Sequence, residues 1–187
     1  MEQKLLIRKE NTMNYAPLLE AISFAADKHR NQRRKDHEAS PYINHPIAVA
    51  NVLASEGGVD DEILLIAAIL HDTVEDTKTT FEELEEKFGV EVTAVVREVT
   101  DDKKILKPER KRLQVEHAPH ASARAKQIKI ADKISNIRDI ANKPPKDWKE
   151  DRKQKYLKWA GKVVNGCRGI NAALDKVFDD AITAGVI

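Results

Sequence analysis

Apolar residues recur every three to four positions along almost the whole chain, which is the spacing of one face of an α-helix. Leu18, Leu19, Ile22 and Ala26 show this repeat near the start of the chain. The pattern predicts helices at 16–30, 80–87, 90–100, 122–142, 147–165 and 169–184, and two more that start at Pro46 and Pro108. Alternation typical of strands is nearly absent, and only one short hairpin around residues 31–43 would fit. The expected fold is therefore all-α, a single helical bundle with at most that β-hairpin.

Capping residues mark several of the predicted helix ends. Gly57-Gly58 ends the helix that starts at Pro46, and Asp60 or Asp61 is expected to cap the next one. The segment Thr80-Phe81-Glu82-Glu83 has the pattern of a capping box, with the threonine before the helix and the glutamate three residues later. Gly89 is expected to interrupt the helix that follows.

The most informative position in this pattern follows the continuous apolar run at 63–70. His71, Asp72, Glu75 and Asp76 come directly after it, so one imidazole and three carboxylates lie within six residues. If one helix continued through them at about 100° per residue, these side chains would fall within an arc of about 140°. A protein interior does not accept such a face unless a cation compensates it. The segment therefore predicts a metal site.

Two other segments offer donors to the same metal. His45 lies at the start of a predicted helix and faces away from its apolar repeat, and Asp132 interrupts an otherwise apolar helical pattern, with Asn136 one turn later. Taken alone, His45 could be a cap and Asp132 could lie on a solvated face. Together with His71 and Asp72 they form a mixed nitrogen and oxygen set, which suits Mn²⁺ or Fe²⁺ better than a thiolate-seeking ion.

Composition narrows the class of protein further. The 187 residues are enough for one domain with a sizeable core, and 32 basic against 31 acidic residues give no case for a nucleic-acid or membrane partner. The single Cys167 is expected to be a small packing residue. No apolar stretch reaches the length of a signal peptide or a membrane span, so the cytoplasm is the expected location. Residues 1–14 are predicted to be an N-terminal extension of a domain over 15–187.

The motifs also resemble a known family. The order of His45, His71-Asp72 and Asp132 is similar to that of the HD-domain superfamily of metal-dependent phosphohydrolases. The segments that resemble the hydrolase domain of RelA/SpoT enzymes are RNQRRKD (30–36), PYINHP (41–46), HDTVEDT (71–77) and KIADKISN (129–136). Residues 99–103 and 107–116 resemble the small stand-alone form of that family. The resemblance covers about residues 15–180.

The resemblance implies a specific reaction. The family hydrolyses guanosine 3′,5′-bis(diphosphate), abbreviated ppGpp, and its pentaphosphate relative, releasing pyrophosphate and GDP or GTP, and typically uses Mn²⁺. One Mn²⁺ per chain would be held by four ligands, His45, His71, Asp72 and Asp132. The residues that activate or orient the attacking water would be Glu75 and Asp76. The implied partner is thus a small guanine nucleotide.

The rest of such a substrate needs cations and a flat surface. The candidate contacts are Arg34, Lys35, Lys107, Asn136, Arg152 and Tyr156. Each basic residue could instead lie on a solvated face, and Tyr156 could be a core aromatic. The resemblance favours Arg34 and Lys35 most. Ser135 stands where relatives often carry a larger residue, so base or ribose contacts would differ if it lines the pocket.

Two other functions fit the same residues, and a generic HD nucleotidase is a weaker third. One is removal of the 2′-phosphate of NADPH, because that substrate also carries a phosphate on a secondary ribose hydroxyl. The other is a catalytically silent nucleotide-binding regulator, although a binding module has no need of both Glu75 and Asp76. No feature of the sequence sets the oligomeric state.

Overall fold

The computed structural model describes residues 14–185, so the predicted extension 1–14 lies outside the described residues except for Asn14. The helices are α1 (Ala16–Lys28), α2 (Asn44–Asn51), α3 (Glu62–Leu70), α4 (Thr73–Asp76), α5 (Phe81–Val99), α6 (Lys107–His117), α7 (Ala123–Asn142), α8 (Glu150–Asn165) and α9 (Ala172–Gly185). Helix α2 continues into a π-helical turn, and a 3₁₀ turn follows α6. No strand occurs in the described part of the chain, which confirms the all-α prediction.

The segment where a hairpin was expected forms a loop with a single antiparallel bridge, between Arg33 and Pro41. Its backbone closes through Arg34 N–H to Ser40 O at 2.8 Å and Tyr42 N–H to Gln32 O at 3.1 Å. Pro41 has no N–H to extend a ladder, so the pairing stops there. This loop leads into α2 and places Arg34 and Tyr42 beside the site described below.

Helices α3 and α7 form the centre of the bundle. Seven consecutive residues of α3, from Leu64 to Leu70, are buried, and α3 packs against α1, α2 and α5. Helix α7 packs against α2, α5, α8 and α9. Burying an Ile or Leu side chain contributes about 1.5–3 kcal/mol, so these two helices dominate the core. Within residues 14–185, none of the helices is long and apolar enough to cross a membrane.

Several predicted helix ends are confirmed. Asp61 is the residue that caps α3, accepting from Leu64 N at 3.1 Å, and Thr80 caps α5, accepting from Glu83 N at 3.2 Å. Gly89 kinks α5 with a φ of 82°, a value that favours glycine. Helix α2 begins before Pro46, at Asn44, which is compatible with proline because first-turn N–H groups have no intrahelical partner.

The prediction that one continuous helix carries the four site residues from His71 to Asp76 is wrong. Helix α3 ends at Leu70, and the short helix α4 starts at Thr73 after a turn. Asp72 at this turn has φ −98° and ψ −3°. The Thr73 hydroxyl donates to Leu70 O at 2.6 Å, which occupies a terminal carbonyl of α3. The break directs His71 and Asp72 separately towards the same point.

Candidate active site

Side chains from α2, from the turn after α3 and from α7 converge at one buried point. His45 Nε2 lies 3.1 Å from Asp132 Oδ1 and 3.8 Å from Asp72 Oδ2, and His71 Nε2 lies 3.1 Å from Asp72 Oδ2. One ligand atom each from His45, His71 and Asp72 fits within 4.8 Å of the others. The structure therefore brings together all four residues that the sequence predicted as ligands, although they come from three separate segments.

The orientation of His71 fits a metal ligand. Its Nδ1 donates to Ala68 O at 2.7 Å, so in the neutral ring Nε2 carries a lone pair. That Nε2 is buried and has no hydrogen-bond partner among the described residues, although it faces Asp72 Oδ2. Two electron-rich atoms held this close repel each other unless a cation or a proton lies between them.

The charges around this point attract cations. Burial lowers the pKa of His71, but the carboxylates of Asp72 and Asp132 outweigh it and raise that pKa to about 9. Burial raises the pKa of Asp72, yet the imidazoles of His71 and His45 keep it below its usual range. The pKa of Asp132 is also low, because Lys133 and His45 outweigh its burial. Two ionised carboxylates beside two imidazoles suit a divalent cation.

Neighbouring side chains fix the orientation of these ligands. Ser135 Oγ lies 3.2 Å from His45 Nδ1, and the Tyr42 hydroxyl donates to Asp72 Oδ2 at 2.6 Å. Asp132 accepts from Lys133 Nζ and from Asn136 Nδ2, both at 2.6 Å. Because Ser135 is buried against His45, it supports a candidate ligand.

Helix α4 carries the two predicted catalytic carboxylates. Glu75 accepts from Asp101 N–H at 3.1 Å, and Arg110 Nη1 lies 3.4 Å from its Oε1. Burial raises the pKa of Glu75 to about 7, which is suitable for a general base near neutral pH.

Asp76 is held differently from Glu75. Its Oδ2 accepts from Gln32 Nε2 at 2.8 Å, and Lys103 pairs with its Oδ1. Gln32 Oε1 in turn forms a hydrogen bond with His29 Nδ1 at 2.7 Å. Glu75 lines the cavity described next, whereas Asp76 lies outside that lining.

The candidate ligands open into a cavity of about 190 Å³. Beyond the four ligands and Glu75, its lining consists of Arg34, Tyr42, Val99, Gln114, Ile128, Lys129, Lys133 and Asn136. A second, wider groove of about 380 Å³ shares Arg34 with it and also contains Lys35, Trp148 and Arg152. Arg34 therefore lies at the wall of both the small cavity at the candidate metal site and the larger groove that carries basic residues.

Of the predicted substrate contacts, Arg34, Lys35 and Arg152 line the groove and Asn136 lines the small cavity, whereas Lys107 and Tyr156 are in neither lining. Arg34 is half-buried, pairs with Asp139 and donates to Asn136 Oδ1 at 3.0 Å. Lys35, Lys107 and Arg152 are exposed. Lys35 and Arg152 line the same groove, and burial together with the charges of these two residues lowers the pKa of Lys107.

Tyr156 lies between two tryptophans. Its ring centroid is 5.7 Å from that of Trp148 and 5.4 Å from that of Trp159. Lys111 lies over the rings of Tyr156 and Trp159, at 5.6 Å and 4.3 Å from their centroids. Tyr156 is therefore packed within an aromatic and cationic cluster beside the groove, and its stacking on a purine stays a prediction.

Sequence reasoning missed most of the supporting residues. Gln32, Lys103 and Arg110 hold the two carboxylates of α4, and they come from the loop after α1, the loop after α5 and helix α6. These contacts join positions 27 to 44 residues apart, so local spacing gives no sign of them. The RNQRRKD motif contained Gln32, but nothing in that motif indicated its partner.

The fold and the site define a helical domain with a histidine–aspartate centre suited to a divalent cation. A family model described as an HD domain matches residues 21–159. The chain belongs to the HD-domain family.

Individual relatives are similar over nearly the whole chain. The guanosine-3′,5′-bis(diphosphate) 3′-pyrophosphohydrolase MESH1 of Xenopus tropicalis is 57% identical over 164 residues, which cover 88% of this chain and 92% of that protein. The Homo sapiens protein of the same name is 56% identical over 163 residues, which cover 87% and 91%.

A solved structure is also similar to this chain. A metazoan orthologue of SpoT that hydrolyses ppGpp and plays a role in starvation responses superposes with a TM-score of 0.89 at 47% identity. The match covers 94% of this chain and 99% of that chain. The predicted resemblance to the small stand-alone RelA/SpoT hydrolases is confirmed.

Proposed function

We propose that this protein hydrolyses ppGpp at its 3′ position, releasing pyrophosphate and GDP, and acts likewise on the pentaphosphate to give GTP. The observation that carries the proposal is the convergence of four candidate ligands and Glu75 on a small cavity, which shares Arg34 with a neighbouring groove that contains basic residues. Relatives at 56–57% identity that carry the name of this activity support it.

The metal, the domain limits and the location are part of the proposal. We propose Mn²⁺, one per chain, because the donor set mixes imidazole nitrogen with carboxylate oxygen. Residues 15–187 would form the hydrolase domain, with 1–14 as its extension. The single cysteine, Cys167, is buried and free, which is compatible with the reducing cytoplasm.

Four side chains would hold the cation, His45, His71, Asp72 and Asp132. When bound, a divalent cation offsets phosphate charge and lowers the pKa of water. The chain's own contribution begins with orientation. Ala68 O orients His71, Ser135 orients His45, and Tyr42 orients Asp72, so the rotamers of three candidate ligands are restrained before binding.

Glu75 is the proposed general base. It accepts a proton as the water oxygen forms a bond to the 3′ phosphorus and the bond from that phosphorus to the ribose 3′ oxygen breaks. The proton is then available to the ribose oxygen, and the diphosphate leaves as one unit. Asp76 is the candidate for orienting the water, with its carboxylate fixed by Gln32 and Lys103.

The groove is proposed to bind the nucleoside and its 5′-diphosphate. Lys35 and Arg152 are exposed in the groove, and their charges act on the exposed Lys107, so an anion bound beside them relieves this repulsion. Arg34 lines both the groove and the small cavity, and its partner Asn136 lines the small cavity, a position suited to the ribose and its 3′ substituent.

Side-by-side kinetics test this function. With Mn²⁺ present, we expect kcat/KM to be higher for ppGpp than for NADPH, and chromatography to show pyrophosphate and GDP in equal amounts. A higher kcat/KM for NADPH, or orthophosphate as the product from ppGpp, contradicts the proposal. Tight binding of ppGpp without turnover would instead favour the regulator.

A further inference from the structure

Lys129 is a buried lysine that the mechanism above does not use. Only 9% of its surface is exposed, and its side chain lines the same cavity as the candidate metal ligands. Among residues 14–184, no hydrogen bond or ion pair reaches its ammonium group within ordinary contact distances. Within the described residues, Lys129 Nζ is not a fully enclosed atom without a partner, so its ammonium group is open to the cavity that the side chain lines.

Its neighbour Lys133 shows what compensation looks like in this cavity. Lys133, one turn later on α7, pairs with Asp132 at 2.6 Å. The carboxylates whose negative charges act on Lys129 are Asp101 and Asp132. Both already pair with other side chains. Asp101 accepts from Gln114 at 2.6 Å, and Asp132 is shared by Lys133, Asn136 and His45. Burial lowers the pKa of Lys129, and Lys133 lowers it further.

The position of Lys129 along α7 places its ammonium group at one end of the cavity. Lys129 lies one turn before the candidate ligand Asp132, and Asn136 lies one turn after it. At about 1.5 Å per residue, Lys129 and Asn136 are about 10 Å apart along the helix axis. Arg34 and the wide groove are at the Asn136 end. The candidate metal centre thus lies between two basic ends of the cavity.

We propose that Lys129 binds the distal phosphoryl group of the substrate's 3′-diphosphate and makes the site selective for a diphosphate over a monophosphate at that position. The inference rests on the proposed function. With the reacting phosphorus at the candidate metal centre and the nucleoside at the Arg34 end, the second phosphoryl group extends towards Lys129. An ordinary monophosphate ester does not reach it.

The test compares two ligands that differ by that phosphoryl group. Calorimetry with Mn²⁺ measures the Kd of ppGpp and of guanosine 5′-diphosphate 3′-monophosphate, using full-length Glu75→Gln protein so that turnover does not interfere. Adding Lys129→Met should weaken ppGpp binding by about tenfold or more, as expected for loss of one charge-assisted contact, and monophosphate binding by less than about twofold.

Matched controls separate this contact from a general loss of structure. Lys126→Met is the same change one turn earlier on α7, outside the cavity lining, and should leave both affinities unchanged. Thermal melting and manganese content verify the fold of each variant. If Lys129→Met fails to fold, Lys129→Gln removes the charge while keeping a polar group, and the same selective loss is expected.

The outcomes separate this inference from the proposed function. If Lys129→Met weakens the binding of both ligands equally, or weakens neither, the assignment of Lys129 is overturned. A failure of Mn²⁺-loaded Glu75→Gln protein to bind ppGpp also overturns it. If the selective loss is seen but the native protein does not hydrolyse ppGpp, the assignment of Lys129 stands and the proposed function fails.

Discussion

The imidazole of His71 depends on one backbone contact for its chemistry. Because Ala68 O accepts from Nδ1, Nε2 faces the Asp72 carboxylate without a hydrogen-bond partner among the residues that the structure describes. Replacing His71 with Ala removes the candidate ligand atom Nε2, and we expect loss of both bound metal and activity. Metal analysis of purified protein checks this. His117→Ala, the same change on the exposed side of α6, is the control and should keep both.

Glu75 should determine how activity depends on pH. Its pKa is raised to about 7 by burial, and a general base works only in the ionised form, so kcat is expected to fall as pH drops below about 7. Glu75→Gln should keep the metal, lower kcat by about 10²–10⁴-fold and abolish that acidic limb. If kcat of Glu75→Gln still falls below about pH 7 as in wild-type protein, the general base is another group.

The sequence indicated residues whose type conflicts with their local pattern. Asp132 in an apolar helix and His71-Asp72 after an apolar run were found this way, and the structure places both at the site. Tyr42 and Ser135 were not recognised as supporting residues because they look ordinary locally. Their contacts to Asp72 and His45 span 30 and 90 positions, and only the tertiary fold creates them.

At the scale of elements, α6 has no fully buried residue and contributes to the site mainly through charge. Lys107 lies with Lys35 and Arg152, so Lys107→Ala should raise KM for ppGpp by about 3- to 10-fold, the loss of one solvent-exposed charged contact, while kcat changes little. Steady-state kinetics measure both. Raising the salt concentration should weaken ppGpp binding to wild-type protein more than ppGpp binding to Lys107→Ala.

Arg112→Ala is the matched control on the same helix. Arg112 is exposed and pairs with Glu109 and Glu116 along α6 itself, away from the cation cluster. We expect its KM and its salt dependence to match those of wild-type protein. An equal rise in KM for both variants would indicate a general disturbance of α6.

Helix periodicity predicted most elements well and failed at one informative point. Helix α7 begins at Ala123, one residue after its predicted start, with Ser122 as its N-cap, and α5 bends at Gly89 as expected. The break after Leu70 was missed; at this break the Thr73 hydroxyl donates to a terminal carbonyl of α3. Apolar spacing carries no signal for such a contact, although the resulting turn builds the site.

At the scale of the whole molecule, a bound metal would link three parts of the bundle. The candidate ligands come from α2, from the turn after α3 and from α7, so they are close together only in the folded chain. Mn²⁺ at about 100 times its Kd should stabilise the fold by about 2.7 kcal/mol and raise Tm by about 5–10 °C. Thermal melting with and without Mn²⁺ measures this shift, which should be absent in His71→Ala. An equal shift in that variant would indicate a different metal site.

Hydrolysis of ppGpp in ¹⁸O-labelled water tests the central claim most directly, because it reports which bond the site breaks. With Mn²⁺-loaded protein, attack at the 3′ phosphorus predicts one ¹⁸O atom in the released pyrophosphate and none in GDP, as mass spectrometry would show. Label in the ribose hydroxyl of GDP, or release of labelled orthophosphate with guanosine 5′-diphosphate 3′-monophosphate left behind, would contradict it.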